Sequence, residues 1–140
     1  MKRFFLGLPV ACLLAGCTPA PETPQGASPQ VLEAGHQIYT ANCATCHQVD
    51  GYGVENMQPA LVNDDIVAGD PQMLVRVLLK GPAAVLPPDR PHYSNTMPVF
   101  ARLTDEQIAD VLTFIRHDYG NQASPISAQQ VQTIRAQSGS

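Results

Sequence analysis

"CATCH", residues 43–47, is Cys43-Ala44-Thr45-Cys46-His47, and its reading decides the fold. Two thiols at this separation, followed directly by an imidazole, can close a disulfide, bind a metal ion, or hold a haem through two thioethers and an iron ligand. The surrounding sequence separates these chemistries. A disulfide oxidoreductase carries its C-x-x-C at the head of a helix that follows a strand. Here a helical pattern precedes Cys43, and a loop with Gly51 and Gly53 follows. A structural zinc site needs four ligands, typically a second close Cys/His pair. His36, His92 and His117 are instead scattered singly. Haem attachment needs only this motif: Cys43 and Cys46 reach the two vinyl groups, and His47 places its imidazole on the iron.

The rest of the chain agrees with a large buried ligand. Its 140 residues make one domain with appendages. Trp is absent, and with 4 Phe and 4 Tyr the chain is poor in the rings that usually fill a small core. The opening "MKRFFLGLPVACLLAGC" pairs a positive start, Lys2 and Arg3, with an apolar run too short to span a bilayer as a mature helix. It ends in Leu14-Ala15-Gly16-Cys17, which resembles the lipobox of bacterial lipoproteins. Residues 1–16 are therefore expected to be a signal peptide, and Cys17 the lipidated new terminus. Cys12 leaves with the signal, so Cys43 and Cys46 are the only thiols left for chemistry.

Residues 17–29, rich in Pro, read as a flexible tether. Of 8 basic and 12 acidic residues, loss of Lys2 and Arg3 leaves 6 and 12, a balance of −6. No basic patch for nucleic acid remains, and the charge favours a protein partner with a basic or apolar contact patch.

Three helices are legible. Ser28 caps the first, Pro29 opens it, and Val31, Ala34, Gly35, Ile38 and Tyr39 share a stripe as far as Asn42. Asp70-Pro71 opens the second, with Met73 expected to pack in the core beside Leu74, Val77 and Leu78, and Gly81 closes it. The third starts with a Thr104–Gln107 capping box and a Leu103–Ile108 staple. It continues through Val111, Leu112, Ile115 and Tyr119 to Gly120. A further segment at 127–136, headed by a Ser127–Gln130 box, is a possible short helix in the extension 122–140. Long Pro/Gly loops between helices, with no convincing alternating strand, predict an all-α domain wrapped around something.

These residues resemble the small monohaem cytochromes c of the mitochondrial-like type over 30–121. The motifs that carry the resemblance are "CATCH", "MPVF" and "LTDEQIADVLTFIR". It implies a cytochrome c fold, three main helices with long loops around one covalent haem c, and similarity to haem domains that accompany membrane dehydrogenases, terminal oxidases and nitrite reductases. It also implies that the Pro59 carbonyl orients the His47 ring. Gly35 and Tyr39 would lie at a helix crossing, opposite Leu112 and Ile115, with Phe114 or Tyr119 adjacent.

In family order Met97, followed by Pro98, is the sixth iron ligand, with His92 the alternative. Tyr93 and Asn95 lie in a stretch that in relatives borders the haem. The implied function is single-electron transfer, without catalysis, between dehydrogenase, oxidase or reductase partners on the periplasmic side of a membrane. The alternatives are a haem subunit bound permanently to such a complex, or a gas-binding cytochrome with a labile methionine.

Overall fold

In a computed structural model, residues 27–139 are described; Cys17, the expected leader and most of the expected tether, at 1–26, lie outside them. The helices are α1 Pro29–Asn42, α2 Ala44–His47, α3 Asp65–Ala68, α4 Pro71–Lys80, α5 Asp105–His117 and α6 Ala128–Gln137, with a short 3-10 turn at Pro82–Ala84. Among the described residues there is no extended strand pairing beyond a Val54–Gln58 bridge, and no helix long and apolar enough to cross a membrane.

The expected caps hold the long helices. The Ser28 hydroxyl accepts from Val31 N–H at 3.3 Å, and the Asp70 carboxylate accepts from Gln72 N–H at 2.9 Å. Reciprocal capping boxes, Thr104–Gln107 and Ser127–Gln130, start α5 and α6. Each cap satisfies backbone donors that a helix start leaves open, which stabilises by about 1 kcal/mol.

Helix α5 is the centre of the fold. Helix α1 packs on it from one side, and α6 packs on it and on α4. Ile108, Val111, Leu112, Phe114 and Ile115 are all buried on α5, together with Val75 and Leu78 of α4 and Val131 and Ile134 of α6. Burying each such side chain contributes about 1.5–3 kcal/mol. Met73 is a correction to the expected core: it stays half-buried at the edge of the packed face, and Leu74, Val75, Val77, Leu78 and Leu79 form the buried stripe.

Two buried polar residues of α5 tie loops to this core. Arg116, 4% exposed, donates to the carbonyls of Val67 at 2.6 Å, Gly69 at 2.9 Å and Ser124 at 2.9 Å. Burial pulls its pKa down and Asp70 opposes that; three acceptors accommodate the charge without a contacting carboxylate. The Thr113 hydroxyl accepts from Ile126 N–H at 2.9 Å and donates to Ile126 O at 3.2 Å. The extension beyond 121 is thus docked through the run leading to α6.

At the α1–α5 crossing Gly35 meets backbone. A Cβ there would collide with the Asp110 carbonyl and lie 2.6 Å from Phe114 Cβ. The partners that meet Gly35 are therefore Asp110 and Phe114, one turn apart, rather than the expected Leu112 and Ile115. Tyr39, one turn further along α1, packs its ring against Phe114 at 5.7 Å and Tyr119 at 5.4 Å. Gly35→Ala should gain about 1 kcal/mol of helix propensity, but the forced separation should cost about 1–3 kcal/mol or more. A net loss in denaturant-unfolding free energy is expected; an unchanged or raised midpoint would show that the helices do not approach this closely.

Candidate functional site

Helix α1 ends at Cys43, and the chain tightens at once into α2. The Cys43 carbonyl accepts from both Cys46 N–H at 3.0 Å and His47 N–H at 2.9 Å. This turn sets both thiols and the imidazole on one short rigid piece. Both cysteines are free thiols and half-buried. Burial, and then Cys46, push the Cys43 thiol up to about 11. It is a neutral thiol at pH 7, unlike the depressed thiolate that drives disulfide exchange.

His47 is 7% exposed, and its Nδ1 lies 3.0 Å from the Pro59 carbonyl. A carbonyl only accepts, so the proton sits on Nδ1 and the Nε2 lone pair is left for a metal. Burial lowers the His47 pKa, with the Pro59 carbonyl acting in the opposite direction. The ring is neutral at pH 7, the form that ligates iron.

The loop that brings Pro59 back depends on two glycines. Gly53, at φ +63, donates to the His47 carbonyl at 3.0 Å, and a Cβ there would strike the Pro59 carbonyl itself. Gly51, at φ +75, lies under the Tyr119 ring, whose face a Cβ would meet at 2.8 Å. Hydroxyls fix the loop from outside. Tyr39 Oη donates to the Gln48 carbonyl at 2.6 Å and Tyr119 Oη to the Val49 carbonyl at 3.1 Å. Asn121 closes the far side by donating to the Leu61 carbonyl at 2.8 Å and the Ile115 carbonyl at 2.9 Å, and accepting from Asp64 N–H at 3.1 Å.

Met97 is half-buried and packs against the core. Its loop is bound to the loop after His47: Ser94 N–H donates to the Asn56 carbonyl at 2.9 Å and Asn95 N–H to the Met57 carbonyl at 3.2 Å. Asn95 thus enters the site through its backbone, while Tyr93 is half-buried in the same stretch and His92 is exposed. Two open clefts of about 420 and 330 Å³ lie elsewhere, and neither is lined by these residues. The hydrogen-bonded geometry around His47, more than any cleft, marks the site. Sequence reasoning missed Asn121, Gly53's closeness to Pro59 and the Tyr119–Val49 bond; the closely spaced Gly51 and Gly53 were the available signal.

The cytochrome c family model matches residues 32–118. The chain belongs to the cytochrome c family. It is 40% identical over 106 residues to the cytochrome c subunit of the quinone alcohol dehydrogenase of Gluconobacter oxydans, covering 73% of this chain and 22% of that one. It is 35% identical over 107 residues to the gluconate 2-dehydrogenase cytochrome c subunit of Pantoea cypripedii, covering 74% of this chain and 24% of that one. The chain therefore spans about a quarter or less of the length of these subunits. Cytochrome c-552 of Thermus thermophilus is 35% identical over 111 residues, 73% of this chain and 84% of that protein.

As a cytochrome c with Cys43 and Cys46 in a C-x-x-C-H segment, the chain carries covalent haem c. The local structure of this cytochrome fits that group. Neither cysteine is committed to a disulfide, the two stand three residues apart on one turn, and the His47 Nε2 lone pair is left open by the Nδ1–Pro59 hydrogen bond.

Gly53→Ala should displace the Pro59 carbonyl and destabilise the loop by about 1–3 kcal/mol through its left-handed backbone. Weakening the Nδ1–carbonyl bond makes His47 a poorer donor. The midpoint potential of the haem-loaded variant should rise above wild type; a potential that stays put would show that Gly53 does not hold that carbonyl.

Proposed function

We propose that this cytochrome carries single electrons through a haem c whose iron is ligated by His47 and Met97. The observation that carries the reading is the His47 Nδ1–Pro59 bond, which leaves one neutral ring nitrogen free on the same rigid turn as two free thiols. When bound, the haem supplies a one-electron couple. Cys43 and Cys46 hold it, Pro59 orients His47, and the pairing of the 94–95 and 56–57 backbones restrains the Met97 loop. With His47 and Met97 both holding the iron, no ligand position would be left for a substrate, and the part of these two side chains would be to stay fixed as one electron comes and goes. Methionine favours the ferrous state and raises the potential. Tyr93 and Asn95 would border the haem on the Met97 side.

The relatives supply two settings. The c-552 relative, matched over most of its length, favours a free carrier. The dehydrogenase subunits favour a haem module held in a complex that takes electrons from a dehydrogenase. The lipobox-like ending at Cys17 supports a periplasm-facing lipid anchor, which suits either. Thr18, where Asp would resemble an inner-membrane retention signal, leans towards the outer membrane.

The deciding experiment is the absorption spectrum of the haem-loaded protein in both oxidation states. The near-infrared band of methionine on ferric iron is expected in wild type and absent in Met97→Ala, and only the variant should bind carbon monoxide readily when reduced. A wild type that binds it readily would instead be a gas-binding cytochrome. For the anchor, Cys17→Ser should release the protein from membranes with haem still attached. Retention of that variant, and its co-purification with a dehydrogenase in mild detergent, would place it in a permanent complex.

A further inference from the structure

The family match ends at residue 118, yet the chain continues into α6, and α6 returns to the segment that follows Met97. Arg135 makes the contact. Its Nε donates to Asp105 Oδ1 at 2.7 Å, one terminal nitrogen to the Ala101 carbonyl at 3.0 Å, and the other to the Leu103 carbonyl at 2.8 Å. One planar, rigid group thus takes three acceptors from residues 101–105. Its own helix is firmly seated: Val131 is 0% and Ile134 4% exposed, and the incoming run is pinned by Thr113 and Arg116.

We infer that α6 is a positioning element for Met97, and that Arg135 is the positioning residue through which it acts. The inference rests on Met97 being the axial ligand. After Met97, Val99 is exposed, and Phe100 is the next anchor, buried with its N–H on the Leu78 carbonyl at 2.7 Å. Leu103 N–H then closes a turn onto the Phe100 carbonyl at 3.0 Å. Arg135 grips the carbonyls of that turn, so Phe100 cannot lift away without breaking them. The approach to Met97 from the other side has two backbone bonds in an exposed loop, at Ser94 and Asn95.

In the last turn of α6 a cation suits that helix's own dipole, but this does not explain where the guanidinium points. Arg135 lies against the first turn of α5, where the helix dipole disfavours a cation. Asp105 offsets that, and what the guanidinium adds is the hold on Ala101 and Leu103. External ligands reach an iron when its own ligand swings off, so their apparent affinity follows the population of the opened loop.

The test uses the full-length, haem-loaded ferric protein, titrated with imidazole while the near-infrared methionine band is followed. Arg135→Ala is expected to bind imidazole about tenfold more tightly than wild type, as a loop open ten times more often requires. Val67→Ala removes core packing where α3 meets α4 and α5, and leaves the Arg135 hydrogen bonds to residues 101–105 untouched. It is expected to lower the unfolding midpoint at least as much, yet change imidazole affinity by no more than about twofold. Arg135→Lys, which can keep Asp105 but not all three acceptors, should fall between, and serves if the alanine variant does not accumulate. Unchanged affinity in both Arg135 variants, or equal tightening in Val67→Ala, overturns the positioning role while leaving Met97 as ligand. A wild type without the methionine band overturns the axial reading, and this inference with it.

Discussion

The contact between Gly35 and the Asp110 carbonyl is the constraint from which the rest of the domain is hung. With no side chain between them, α1 and α5 cross at backbone distance, and that fixes where α1 ends. Because α1 ends at Cys43, the same crossing places the attachment turn. Tyr39 extends the crossing by one turn, stacking on Phe114 and Tyr119 while its hydroxyl holds the Gln48 carbonyl. Burial keeps that phenol well above its ordinary pKa, so it is a donor at any physiological pH.

Where a sheet would satisfy backbone groups in other small domains, this chain uses long polar side chains reaching into its loops. Asn121 and Arg116 each gather acceptors from separate segments, and Arg135 gathers three from residues 101–105. Buried backbone carbonyls must be paired, and these three residues pair them while cross-linking parts of the chain distant in sequence. The loops around His47 and Met97 are therefore structured without regular secondary structure, as a site holding a rigid planar group in a fixed pose requires.

Much of this was legible in the sequence because it is local. Ser28, Asp70, Thr104 and Ser127 announce their helices through chemistry confined to three or four residues, and α1, α4, α5 and α6 begin where those caps stand. The C-x-x-C-H segment is equally local. What stayed hidden depends on distance. The crossing register was misplaced because periodicity marks Leu112 and Ile115 as apolar without saying which neighbour each faces. Nothing near Arg116 or Thr113 in sequence discloses that they are buried on carbonyls at Val67 and Ile126. Met73 looked like core and sits at its rim. The docking of α6 lies beyond any local pattern, because a capping box starts a helix without saying what it packs against.

The crossing of α1 on α5 also frames the site along the chain. Gly35 and Asp110 are separated by about 75 residues, and Cys43, Cys46, His47 and Met97 all lie inside that span. One backbone contact thus ties off the loop that contains every residue proposed to hold the haem, so that slackening it would loosen both sides of the group together.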